Sequence, residues 1–318
     1  MMTDMSTSAI SVSGLRKAYG DKVVLGGIDL DVPAGTVFSL LGPNGAGKTT
    51  TVNVLTTLLQ ADGGTARVAG HDVATEAKAV RALIGVTGQF AAVDELLTGQ
   101  ENLQLMADLK HMGAREGKRV ITELLERFDL AESAQKLVST YSGGMRRKLD
   151  LAMTLVGAPR IIFLDEPTTG LDPRSRRTMW DIVRGLVADG VTIFLTTQYL
   201  DEADQLADRI AVLDQGRLVA EGTPGELKRQ VPGSHVRLRF ADSAALQAAA
   251  RVLAGSTADD AALTLRVPSD GGVKSVRGLL DRLDEYSIDA EEFSVHTPDL
   301  DDVFLALTGH ASTEVTAQ

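Results

Sequence analysis

Residues Gly42-Pro43-Asn44-Gly45-Ala46-Gly47-Lys48-Thr49 fit the spacing G-x-x-x-x-G-K-[ST], a pattern whose chemistry is phosphate binding. Its glycines let backbone N–H groups face an anion, and a helix starting at the lysine adds the positive end of its dipole. Lys48 would reach the β- and γ-phosphates of a nucleotide, and the Thr49 hydroxyl would coordinate Mg²⁺. The candidate nucleotide-binding residues here are Gly42, Asn44, Gly45, Ala46, Gly47, Lys48, Thr49 and the adjoining Thr50. A Gly-rich turn that binds nothing has no need of the Lys-Thr pair. The second chemical group is Asp165-Glu166, directly after the apolar run Ile161-Ile162-Phe163-Leu164. Asp165 would hold Mg²⁺ through water. Successive side chains on a strand point to opposite sides, so Glu166 could face a water in line with the γ-phosphate. As a general base there it would contribute roughly 10²–10⁴-fold.

Such groups need particular elements beneath them. Residues 36–41 read as a short buried strand, and residues 48–59 as a helix with Val52, Leu55, Leu58 and Leu59 on one face. Residues 161–164 suit a parallel strand buried on both faces, and ligands bind at the carboxyl ends of strands in such sheets. Residues 191–197 and 210–213 read as further strands of the same sheet, a helix over 174–188 joining the first two. Residues 80–86 lead to a strand ending in Thr87-Gly88-Gln89. Residues 10–12 and 22–32 alternate apolar and polar, as strands with one wet face do. Between about 90 and 155 the period becomes helical, with amphipathic segments at 102–109, 120–128 and 146–156. This stretch is read as a helical subdomain inserted into the α/β core.

Pro224-Gly225 and Pro232-Gly233-Ser234 mark a boundary. Beyond it, residues 235–240, 263–267 and 290–295 read as strands, and 244–253, 273–286 and 300–307 as helices. That βαβαβ order predicts a small open-faced α/β module. The expected organisation is therefore a domain over 1–230, a small C-terminal α/β domain over 233–309 and a disordered tail over 310–318.

The composition narrows the class. The 318 residues contain no Cys, which excludes disulfides and thiolate metal sites. A formal net charge of −11 argues against nucleic acid as the main partner. Residues 1–9 are short and polar, without the charged and apolar regions of a signal peptide. No apolar run approaches the ~20 residues that span a bilayer, so work at a membrane would need spans supplied by other chains.

A third motif, Tyr141-Ser142-Gly143-Gly144-Met145-Arg146-Arg147, precedes the helix leading to Asp165. It closely resembles the Leu-Ser-Gly-Gly-Gln signature of ABC ATPases. Gln89, Thr169-Gly170-Leu171-Asp172 and Tyr19 stand in the order and spacing of that family, and no Asn-Lys-x-Asp run for guanine is present. The resemblance extends to antibiotic-exporting ABC ATPases of anthracycline resistance. It rests on residues 141–149 and 164–176, on Thr196-Thr197-Gln198-Tyr199-Leu200-Asp201-Glu202-Ala203-Asp204, and on the ending at 300–309. The expected fold class is thus α/β, a P-loop ABC-type ATPase core with an inserted helical subdomain plus a small C-terminal α/β domain.

The resemblance implies ATP and Mg²⁺ as cofactors, and two copies docked beneath a separate membrane-spanning permease on the cytoplasmic side of the membrane. It implies roles by position. Tyr19 would stack on adenine. Gln89 would contact Mg²⁺ and relay nucleotide state to the permease. Ser142, Gly143 and Gly144 would cap the γ-phosphate held by the opposite subunit, and Asp172 would bridge the subunits. Two positions depart from the family. Gln198 stands where most ABC ATPases carry a His; its amide can donate to the γ-phosphate but cannot titrate. Met145 replaces the last residue of the signature. The expected function is an ATP-hydrolysing exporter subunit driving efflux of a hydrophobic drug or antibiotic. A lipid or polysaccharide exporter would share every catalytic motif. A soluble ABC ATPase acting on DNA or the ribosome is the alternative from another class; one cassette, no sustained heptads and the acidic balance speak against it.

Overall fold

The computed structural model describes residues 8–89, 91–230, 234–296 and 298–309. The expected tail over 310–318, with Phe90, Pro232 and Gly233, lies outside the described residues. The chain divides into two compact units, Met1–Pro224 and Gly225–Gln318.

In the first unit β1 (Ser8–Tyr19) and β2 (Lys22–Pro33) form an antiparallel pair that alternates buried and exposed residues over much of its length. β3 (Val37–Leu41) is buried throughout and leads through the glycine-rich loop into α1 (Lys48–Leu55). This helix stops short of residue 59, where periodicity predicts its end. The Thr56 hydroxyl donates back to Val52 O at 2.8 Å, Thr57 takes a φ of +66°, and the amides of Leu58 and Leu59 turn to Asn53 O. A threonine that satisfies its own turn competes with helix continuation. Leu58 is consequently 69% exposed instead of joining the buried face.

β4 (Gly63–Val68) and β5 (His71–Asp72) complete an antiparallel sheet of order β2-β1-β4-β5. α2 (Ala77–Leu83) then leads into β6 (Ile84–Thr87). The predicted helical stretch holds α3 (Gly99–Leu109), capped by Thr98 and Glu101, α4 (Ala114–Arg127) and α5 (Gly143–Leu155). β7 (Ile161–Asp165), α6 (Pro173–Ala188), β8 (Thr192–Thr197), α7 (Leu200–Leu206), β9 (Arg209–Asp214) and β10 (Arg217–Gly222) follow.

The second sheet has the order β10-β9-β3-β8-β7-β6, parallel except for the β9–β10 hairpin. Its strands alternate between two cores. Phe38, Phe163 and Phe194 face the antiparallel sheet, with Phe194 at 5.7 and 5.5 Å from the other two rings. Ile162, Leu164, Ile193 and Leu195 face the helices, packing with Leu103, Leu149 and Val183. Burial on both faces explains why these strands read as continuous apolar runs. β4, β5 and β10 have no counterpart in the sequence reading, because they are short or partly exposed and carry no apolar period.

The second unit carries α8 (Pro224–Gln230), β11 (His235–Arg239), α9 (Ser243–Val252), β12 (Thr257–Asp259), β13 (Thr264–Pro268), α10 (Val273–Glu285), β14 (Glu292–His296) and α11 (Leu300–Thr308). Its order is βαββαβ, not the βαβαβ predicted. The strand without a sequence signal, β12, is three exposed residues long. The sheet order β12-β13-β11-β14, with antiparallel neighbours, is the split-βαβ arrangement. Leu246, Ala249, Leu279 and Leu283 of the helices cover Val236, Leu238, Leu265 and Val267.

Candidate active site

The loop between β3 and α1 needs glycine at its last position. Gly47 has a φ of +113°, and a Cβ there would lie 2.8 Å from Leu25 Cδ2 and 3.0 Å from Val24 O. Lys48 folds back under the loop, its Nζ donating to Gly42 O at 2.8 Å and to Pro43 O at 3.2 Å. The same Nζ lies 3.3 Å from Glu166 Oε1. Thr49, in the first turn of α1, donates its hydroxyl to Asp165 Oδ2 at 2.9 Å. The other Asp165 oxygen accepts from the Thr196 hydroxyl. Parallel register sets this last contact, since β7 and β8 pair Asp165 with Thr196.

Glu166 reaches the lysine by a route that strand alternation does not supply. β7 ends at Asp165, and Glu166 takes a left-handed φ of +49°. A non-glycine residue in that region is uncommon and persists only where its surroundings over-determine it. Here its N–H donates to Thr196 O (3.1 Å) and to Thr196 Oγ1 (3.2 Å). Its carboxylate accepts from Thr169 Oγ1 at 3.3 Å and from Gln89 Nε2 at 3.5 Å. Lys48, Thr49, Gln89, Asp165 and Glu166, far apart in sequence, thus form one group at the carboxyl ends of β3, β6 and β7.

The electrostatics follow from burial. Desolvation lowers the Lys48 pKa, and the Glu166 and Asp165 carboxylates pull it the other way. Thr49, Asp165 and Gln89 supply oxygen donors, the type a hard divalent cation takes. Among the described residues no cluster of three or more His, Cys, Asp or Glu could cage a metal alone. This donor set fits an ion whose coordination is completed by phosphate oxygens and water.

A second group sits at the N-termini of α5 and α6. Ser142 caps α5, accepting from Met145 N at 3.2 Å. Asp172 caps α6, accepting from the N–H groups of Arg174 and Ser175 and from the Ser175 hydroxyl at 2.5 Å. The Ser175 hydroxyl and these N–H donors hold the Asp172 carboxyl below its usual range. A Cβ on Gly144 would meet Ser175 Oγ at 2.7 Å, so the glycine lets the two helix starts approach. Among the described residues no hydrogen bond or ion pair links Ser142, Gly143, Gly144 or Asp172 to the Lys48 group.

Two predicted residues stand apart from both groups. Tyr19 ends β1, 52% exposed, with Lys17 Nζ at 5.8 Å from its ring centre. Gln198 follows β8, half-buried, and makes no hydrogen bond among the described residues. Conversely, Thr196, Thr169 and Arg147 contact the acidic pair, and sequence reasoning did not single them out. Thr196 had a weak signal, one of two adjacent hydroxyls that end a strand whose middle, Ile193 to Leu195, is apolar.

A family model described as ABC transporter matches residues 25–169. The chain is 52% identical to the daunorubicin resistance ATP-binding protein DrrA3 of Streptomyces coeruleorubidus, over 96% of this chain and 97% of that one. It is 50% identical to the daunorubicin/doxorubicin resistance ATP-binding protein DrrA of Streptomyces peucetius, over 97% and 95% of the two chains. Among solved structures, a dimeric ATP-binding cassette in a post-hydrolysis state, bound to ADP and phosphate, superposes with a TM-score of 0.61. The identity is 25%, covering 67% of this chain and 98% of that one.

Proposed function

The chain belongs to the ABC transporter ATP-binding family and is an ATPase of that class, and from this premise we propose that it powers efflux of a hydrophobic drug or antibiotic through a separate permease. The observation that carries the reading is the extent of likeness: identity of 52% covers both units, not the nucleotide-binding core alone.

In this reading Gly42, Asn44, Gly45, Ala46, Gly47, Lys48, Thr49 and Thr50 cradle the triphosphate, with Tyr19 against adenine. Bound Mg²⁺ would be held by Thr49, Asp165 and Gln89 and would supply charge neutralisation at the phosphates. Lys48, now within 3.3 Å of Glu166, exchanges that carboxylate for the γ-phosphate when ATP enters. Glu166 then orients and deprotonates the attacking water, and Gln198 donates to the γ-phosphate. Ser142, Gly143 and Gly144 complete the site of a second copy, and Asp172 bridges the copies. Closing the pair over two ATP molecules, then reopening after hydrolysis, is a population shift driven by contacts made only when closed. Residues 1–230 would form the ATP-binding domain and 233–309 a small accessory domain. The working location is the cytoplasmic face of the membrane, without nucleic acid.

The test uses inverted membrane vesicles containing the chain and its co-expressed permease, with daunorubicin as the probe. ATP-dependent accumulation that disappears with Glu166→Gln is the expected result. ATP hydrolysis without accumulation of daunorubicin, but with movement of a lipid or polysaccharide, would overturn the substrate assignment.

A further inference from the structure

Arg147 and Asp150 lie three residues apart on the buried face of α5, outside the groups assigned above. Arg147 is 6% exposed, and all five of its N–H donors find an acceptor. Nε donates to Pro167 O at 2.9 Å. Nη1 donates to Gly88 O at 2.6 Å and to Asp150 Oδ2 at 3.3 Å. Nη2 donates to Asp165 O at 3.3 Å and to Glu166 O at 3.4 Å. Asp150 in turn accepts from the Ala92 N–H at 3.0 Å.

One ion pair therefore grips the chain on both sides of Gln89 and holds the backbone that carries Asp165 and Glu166. Its helix begins at Ser142-Gly143-Gly144. We infer that Arg147 and Asp150 are positioning residues that lock Gln89 and Glu166 to α5, so that displacement of the α5 N-terminus is transmitted to the base within the same subunit.

Stability alone is a weak reason for such a pair. Buried ion pairs are often matched by apolar side chains of similar volume, and burial here raises the Asp150 pKa against the pull of the Ala92 N–H and Arg147. The fork shape is the better reason. A planar guanidinium can hold four carbonyls from two separate segments at once and still meet the Asp150 carboxylate, which an ammonium cannot. The left-handed Glu166 needs that kind of over-determination. In the proposed dimer the α5 N-terminus meets one ATP, while the residues Arg147 holds act on the other.

The inference rests on the proposed roles of Gln89 and Glu166, so the test carries a control for them. Full-length wild type, Arg147→Gln, Arg147→Lys, Asp150→Asn and Glu166→Gln are compared in MgATP turnover, nucleotide binding and amide hydrogen exchange. Arg147→Gln is expected to lose about tenfold or more in kcat with KM within about threefold. The Ala92 and Glu166 amides should exchange faster, while the Thr51 amide in α1 stays as protected as in wild type. Arg147→Lys keeps the charge without the fork and should not restore kcat. A wild-type kcat in folded Arg147→Gln, full rescue by Lys, or faster exchange everywhere would each overturn the inference. Should Arg147→Gln fail to fold, Asp150→Asn decides through exchange at Ala92 and kcat, and wild-type values in both would sink the idea. Undiminished turnover in Glu166→Gln would refute the base assignment instead, leaving the exchange pattern to judge the clamp.

Discussion

At the carboxyl ends of β3 and β7, Lys48, Asp165 and Glu166 are buried and each is bonded to other groups of the same chain. At the starts of α5 and α6, Ser142 and Asp172 are exposed and bond only to the first turns of their own helices. Both groups carry motif residues, yet only the first is assembled within one chain. The difference teaches that a preformed half-site and a presented surface can come from one sequence; in the proposed function the second would gain its chemistry from a neighbour. Anion-ready N–H groups left facing solvent at Ser142-Gly143-Gly144 are what a γ-phosphate from another copy would meet.

The largest effect expected is at the buried group. Glu166→Gln should keep ATP binding and lower turnover by roughly 10²–10⁴-fold, measured as phosphate release against nucleotide titration. Turnover near wild type would place the water-orienting role elsewhere and remove the contrast between the groups.

Next comes a direct trial of the comparison. A Lys48→Ala subunit is paired with a Ser142→Arg subunit, both carrying Glu166→Gln and different tags. Mixed dimers should trap one ATP, and either variant alone should trap none. Trapping by Ser142→Arg alone would mean that the exposed group takes no part in the site.

Gln198 tests how much of the contrast extends to β8. Gln198→His should remain close to wild type, because either side chain can donate. Gln198→Ala should lose about tenfold in kcat, roughly the worth of one hydrogen bond to a charged acceptor. An Ala variant as fast as wild type would make Gln198 a bystander.

The smallest effect concerns Glu202, which bridges Thr168 (2.8 Å) and the Trp180 indole (3.3 Å) behind the site. Burial pushes its pKa up, while hydrogen bonds from Thr197, Thr168 and Trp180 pull it down. A carboxyl with a raised pKa keeps its proton in the folded chain where the unfolded chain has released it. The native state then binds more protons, so stability falls as pH rises above the usual carboxylate range. Thermal unfolding at pH 5 and pH 8 should show a smaller decline for Glu202→Gln than for wild type. Parallel declines would show that Glu202 is ionised in the folded protein.

Much of both groups was legible because their motifs are local. Gly42 to Thr49, Asp165-Glu166 and Ser142-Gly143-Gly144 each declare themselves within a few residues. The apolar runs at β3, β7 and β8 were legible for the same reason. α1 ends before periodicity predicts, because the apolar spacing runs on through Leu58 and Leu59 whereas the Thr56 hydroxyl ends the helix. β12 was missed because three exposed residues leave no pattern.

The sequence by itself determined the phosphate-binding loop, the acidic pair, the signature segment and the class of sheet beneath them, since those depend on residue type and short spacing. Only the tertiary structure decided that Thr196 holds Asp165, that Glu166 turns left-handed to meet Lys48, and that Arg147 ties Gly88 to Glu166. Those contacts depend on parallel strand register and on which side chains are buried together, and neither is set by neighbours along the chain.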